Sequence, residues 1–184
     1  PRSTVGSITE IYDYLRLLYA RIGRTFSPKS GEEVKCQSVT DVVDFVLQTQ
    51  QGDKIILLAP FIKYNRPLEK ELELTIQKGF SRLWIKNQIT DIQDLLDNPK
   101  SINTLDWEGI YLLIDRFINQ DLDENFEHRI ADSVQTAFNE GNGRCYLCLN
   151  DQPMILFSEA FEKDGIKFEK PTEQLFNFNN PIGA

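Results

Sequence analysis

Two short runs constrain the fold of this chain more than anything else in it. Lys54–Pro60 reads KIILLAP and Ile110–Ile118 reads IYLLIDRFI. A strand with one wet face alternates apolar and polar residues, whereas these runs are apolar on both faces. Each is therefore expected as a buried strand, the first closed by Pro60, which cannot extend a hydrogen-bonded ladder. The fold must supply material to cover both sides of a sheet.

Amphipathic helices supply it. Ser38 followed by Asp41 has the spacing of a capping box, and Val39, Val42, Val43, Val46 and Leu47 then share one helix face until Gln51-Gly52. Pro67 suits a first helical turn, with Leu68, Leu72 and Ile76 as a stripe and Gly79 as the stop. Asp123–Glu140 predicts a long helix whose core face is Phe126, Ile130, Val134, Ala137 and Phe138, ended by Gly141–Gly143. Near the start, Ser7 and Glu10 again have capping-box spacing. Ile8, Ile11, Leu15, Leu18 and Ile22 recur at helical steps there, and Gly23 can stop the helix by taking a left-handed backbone.

Phe80–Ile85 alternates like a strand, and Arg144–Leu149 with Met154–Ser158 reads as a hairpin around Asn150–Pro153. Arg24–Lys35, rich in Ser, Pro, Gly and charge, reads as a linker. Asp91–Glu108 reads as irregular, or a short helix plus turn, and the stretch from Glu159 onward as a charged tail. The expectation is an α+β domain, a mixed β-sheet with packed helices.

Candidate chemistry is sparse. No G-x-x-x-x-G-K-[ST] cradle for phosphates occurs, nor an LSGGE-like signature. Cys145 and Cys148 form a C-x-x-C, but strand residues three apart point to opposite faces and cannot share a tetrahedral ion, and Cys36 is alone. His128, the only histidine, sits on the polar side of its helix with no orienting partner in view. The carboxylates of Glu69–Glu73 and Asp121–Glu127 read mostly as helix-surface charge. Three cysteines in 184 residues argue against a disulfide scaffold and for a reducing cytoplasm, and no apolar run approaches the ~18 residues of a membrane span. The formal charge is −8, and the first 26 residues hold four arginines against Glu10 and Asp13, so the remainder is more acidic still. Such a surface is a poor clamp for nucleic-acid phosphates, which points to a protein partner.

Longer identities carry a resemblance. PRSTVG followed by TEIYDYLRLLYARIG at the start and LFNFNNPIGA (Leu175–Ala184) at the end, with KIILLAP, IDRF (Ile114–Phe117) and RIADSVQTAF (Arg129–Phe138) in order between them, resemble the bacterial UvrA family, the damage-recognition component of the excinuclease ABC system. The resemblance implies a fragment: residues 1–27 a signature-domain segment (stem helix), 28–158 an inserted domain that binds UvrB, and 159–184 a return segment toward the signature domain. It implies a non-catalytic docking role in nucleotide excision repair. ATP with Mg, zinc, the homodimer and DNA contact would belong to the longer protein. The alternative left open is a divergent UvrA-like paralogue whose insertion is a spacer or binds DNA or another protein.

The resemblance also implies site residues. The family's UvrB surface includes an arginine after a K/Q-G-[YF] turn and another in a V-D-R segment. Lys78-Gly79-Phe80-Ser81-Arg82 and Ile114-Asp115-Arg116 match these, so Arg82 and Arg116 are the expected UvrB-binding residues. Arginine suits the role, since its planar fork bonds a carboxylate twice and keeps its charge when desolvated. The competing reading is an internal ion pair, Arg116 with Asp115 or another acid, or a solvated arginine. Where the family commonly has R-x-R-I-D-G, this chain has Trp84 as a candidate aromatic anchor and Lys86 in place of an acid. Where it commonly has GRKG after LAP, this chain has Lys63–Glu69, KYNRPLE. A zinc-binding C-P-x-C usual in the family is replaced here by Glu162–Ile166, EKDGI.

Overall fold

The structure, a computed structural model, describes residues 10–98, 109–119, 124–150 and 152–177. The chain divides into two compact units, residues 37–159 and residues 1–36 with 160–184.

In the first unit the two apolar runs lie where their composition demands. β3 (Lys54–Pro60) and β6 (Ile110–Ile118) have the predicted bounds and pair antiparallel at the centre of a six-stranded sheet. β4 (Arg82–Ile85) and β5 (Gln88–Asp91) extend the sheet on one side, and β7 (Arg144–Leu149) and β8 (Ile155–Ser158) on the other. The order is β5-β4-β6-β3-β7-β8. The α+β expectation stands; within it, every described ladder is antiparallel. β4 is shorter than the predicted Phe80–Ile85, and Leu83, Trp84 and Ile85 are all buried because both sheet faces are covered there.

The described helices of this unit pack on one face. α2 (Val39–Leu47) starts on the predicted capping box, with Ser38 Oγ accepting from the Asp41 N–H and the Asp41 carboxylate accepting from the Ser38 N–H at 2.6 Å. α3 (Leu68–Gln77) follows Pro67, and Gly79 at φ +97° turns the chain out of it. α4 (Ile92–Leu96) is one short turn capped by Asp91. α5 is described over Glu124–Glu140; the predicted start at Asp123 lies outside the described residues. Val42, Val46, Leu72, Ile130, Val134, Ala137 and Phe138 meet Ile55, Leu57, Leu83, Leu112 and Phe117 in one core. Each such large side chain, fully buried, stabilises the unit by ~1.5–3 kcal/mol. A second, smaller cluster lies on the opposite sheet face: Leu58, Trp84 and Cys148 are buried, with Ile56, Tyr111, Leu113, Tyr146 and Met154 against them.

The second unit corrects three expectations. The supposed linker Arg24–Lys35 contains a hairpin, β1 (Thr25–Phe26) with β2 (Glu33–Val34). The charged stretch after Glu159 contains another, β9 (Glu162–Lys163) with β10 (Ile166–Lys167), turning through Asp164 and Gly165, both at positive φ. Both were hidden by charge and by turn residues that also mark linkers. Arg24 clamps Glu33 at 2.7 and 2.5 Å, and the Asp164 carboxylate accepts from the hydroxyls of Ser27 and Ser30. The third correction concerns α1 (Ile11–Ile22), whose proposed cap at Ser7 lies outside the described residues. Gly23 ends it with an extended backbone, φ −61° and ψ 138°, not a left-handed one. Glycine is needed for a different reason: a Cβ there would sit 2.2 Å from the Tyr19 carbonyl oxygen, which accepts the Gly23 N–H. Tyr12 donates to the Phe176 carbonyl at 3.0 Å and the Tyr19 ring lies 6.0 Å from that of Phe176, so the return segment packs on the tyrosine side of α1.

Candidate protein-interaction surface

Arg82 opens β4 directly after the turn that Gly79 permits, with the Phe80 N–H donating back to the Thr75 carbonyl at 3.1 Å. Two residues on, Trp84 belongs to the cluster on the face that carries no helix among the described residues, here called the helix-free face, so Arg82 and Trp84 share that face. The strand ends in a two-residue turn, Lys86 and Asn87, at φ 48° and 62°, which closes Ile85 onto Gln88. Two successive positive φ values are the geometry of a type I′ hairpin, a turn that asparagine favours, and Asn87 is the one local cue to β5, an element absent from the sequence reading.

Arg116 reaches the same face by a less obvious route. In an unbroken strand, Leu113 and Arg116, three apart, would face opposite ways. The β3–β6 register shifts between Leu57 and Leu58, so that Leu58 pairs with Leu113 but Leu57 with Asp115, and Ile114 is the extra residue of a β-bulge. The bulge restores phase. Asp115 turns to the helix side, Phe117 enters the main core, and Arg116 lies opposite Ile56 on the helix-free side with Tyr111 and Leu113.

Arg82 and Arg116 then line one shallow cleft of about 240 Å³, with Gly79, Ser81, Leu113 and Asp115. Both are exposed. The acids nearest to them are engaged elsewhere. Asp115, the obvious internal partner for Arg116, is held by Arg129 at 2.8 and 3.2 Å and by the Ser133 hydroxyl at 3.0 Å, both from α5. Asp91, across from Arg82 in register, uses a carboxylate oxygen to cap α4. Among the described residues neither Arg82 nor Arg116 has a side-chain hydrogen bond or ion pair. Two guanidinium groups thus stand on one face unpaired by an internal acid.

The other expected site residues fall differently. Lys86 is exposed at the hairpin tip. Trp84 is only 5% exposed, packed with Leu58 and Cys148, and its indole N–H has no partner among the described residues. Its place is beneath the surface that Arg82 presents, not on it. His128 is exposed on α5. Glu71 departs from the surface-charge reading: it is buried, with Arg66 Nε 3.8 Å from Oε1.

The cysteines follow the strand argument. Cys145 lies in the main core and Cys148 in the cluster on the other face, so they cannot meet on one ion. Burial, with a smaller contribution from Glu159, pushes the Cys145 thiol up to about 12, away from the thiolate a metal needs. At Glu162–Ile166 the hairpin offers no thiol or imidazole, and the Asp164 carboxylate is already taken by Ser27 and Ser30. These residues do not fit a zinc site. Among the described residues no helix is long and apolar enough to cross a membrane.

Comparison with known proteins agrees with the fold's limits. Residues 37–151 match the family described as "UvrA interaction domain", close to the compact unit 37–159. The whole chain aligns with proteins named "UvrABC system protein A". It is 37% identical to that of Rickettsia bellii over 200 residues, 38% to that of Clostridium tetani and 36% to that of Methanothermobacter thermautotrophicus, each over 190 residues. All of this chain is covered, but only 20%, 19% and 19% of those relatives, so the chain spans about a fifth of their length. With the family's domain matched over most of its length, this chain belongs to the UvrA interaction domain family.

Proposed function

We propose that residues 37–159 dock UvrB, a partner protein in the UvrABC system, through the helix-free sheet face, and that this segment takes no catalytic part. The observation that carries the reading is the pair of unpartnered arginines, Arg82 and Arg116, lining one cleft. In an acidic chain, two neighbouring arginines that no internal acid pairs are suited to a carboxylate-bearing partner. Lys86, exposed at the hairpin tip beyond the other end of β4, is a further cation for the partner, and Trp84 supports the Arg82 surface from below. ATP hydrolysis with Mg, zinc binding, dimerisation and DNA contact are assigned to the rest of a longer UvrA protein, with no cofactor in this segment, and the setting is cytoplasmic.

The test is calorimetry of this chain with UvrB from the same cell. Arg116→Glu, folded by circular dichroism, is expected to weaken binding at least about tenfold, ~1.4 kcal/mol, and to raise the off-rate. Unchanged affinity removes Arg116 from the interface. Failure of the unaltered chain to bind UvrB removes the docking function altogether.

A further inference from the structure

We propose that the groove beside Arg116 is a socket for a large apolar side chain of the same partner segment whose carboxylate the arginine receives; the inference rests on the docking reading above. Ile118 lies two residues beyond Arg116 on the same side of β6 and is 48% exposed. Ile56 lies directly across from Arg116 in the β3–β6 register. With Ile89, itself exposed on β5, they line a groove of about 460 Å³ that Lys54, Arg116 and Asn150 also border.

A single exposed isoleucine needs no explanation, since most protein surfaces carry some. Here three isoleucines converge on one groove, bordered by two cations, Lys54 and Arg116, that have no ion-pair partner among the described residues. That is the anatomy of a contact site, an apolar floor with a charged border. The two parts reinforce each other: an apolar group seated on Ile56 and Ile118 sheds water from around Arg116, and a carboxylate bond to arginine strengthens as its surroundings dry. The occupant is therefore an acidic protein segment with a Phe, Leu, Ile or Met near its carboxylate. Nucleic acid fits less well, because its phosphates would engage the cations and leave the isoleucines wet.

Ile118→Ser separates the socket from the charge. Titrated with UvrB from the same cell at low and high salt, it is expected to weaken binding about five- to tenfold while keeping the unaltered chain's salt dependence, because no ion pair is removed. Ile118→Leu should restore most of the affinity, and Arg116→Glu should lose both affinity and salt dependence. Ile89→Ser provides a second wall of the groove should Ile118→Ser misfold. Unaltered affinity in the folded serine variants, with Arg116→Glu still impaired, overturns the socket and leaves docking intact. Absence of UvrB binding by the unaltered chain overturns both, as does tighter binding of duplex DNA than of UvrB that Ile118→Ser does not change.

Discussion

Helices α1 and α2 carry similar apolar patterns and meet opposite fates. In α2, Val42 and Val46 are fully buried against the sheet and α5. In α1, no residue is buried, and Ile11, Leu15, Leu18 and Ile22 are 44–68% exposed. The helix makes its internal contacts through Tyr12 and Tyr19 instead. A helical apolar stripe states that a face wants cover; it does not state that the cover lies in the same chain. Unit 37–159 closes its own core, whereas the stripe of α1 remains open.

The largest effect expected from this contrast is a pair of equal truncations. Leu72→Ala, in the closed core at 0% exposure, should cost about 2–5 kcal/mol, from lost transfer free energy plus a cavity. Leu15→Ala, on the open stripe, should stay within about 0.5 kcal/mol, because it uncovers nothing. Denaturant unfolding of both variants decides the matter. A large cost for Leu15→Ala would show that the stripe is covered in solution, and the contrast would collapse.

A smaller effect tests how α2 is anchored. Ser38→Ala removes the oxygen that accepts the Asp41 N–H and ends the reciprocal cap. The expected loss is about 1 kcal/mol in the same unfolding experiment, and Ser38→Asp should recover much of it. No change would mean that the sheet alone holds the helix start.

These cases show what was legible beforehand. β3, β6, the core of α5 and the cap of α2 were readable because burial on two faces and helix periodicity leave a mark on many consecutive residues. The two small hairpins of the other unit were not, because two-residue strands leave no periodicity and their hold is polar: Arg24 with Glu33, and Asp164 with two serines. β5 was missed with only Asn87 as a cue. At the candidate surface, Arg82 and Arg116 were named through family resemblance, but nothing local could place them together. That depends on a bulge at Ile114, a pairing feature between distant segments, and on Arg129 and Ser133 occupying Asp115. Ile118 is not legible as a surface residue, because strand apolarity reads as core until the register shows which face stays open.

The smallest effect concerns the polar hairpins. The Glu33 carboxyl is lowered from its ordinary 4.5 to about 2, chiefly by the hydrogen bond from Arg24, with burial opposing and Lys35 assisting. Asp164 is lowered too, first by the Ser27 hydroxyl and then by Ser30. A folded pKa below the unfolded one contributes stability that is present above the ordinary value and lost as pH falls through the folded value. The hairpin β1–β2 should therefore hold its ion pair at neutral pH and begin to lose its advantage below about pH 4.5, with the loss complete only below about 2. Side-chain NMR titration of Glu33 should show a midpoint near 2, returning toward 4.5 in Arg24→Gln. A midpoint already near 4.5 in the unaltered chain would mean that Arg24 does not clamp Glu33 in solution. The second unit would then keep Asp164 on Ser27 and Ser30 as a polar hold, and the hairpin β1–β2 would be without its Arg24–Glu33 ion pair.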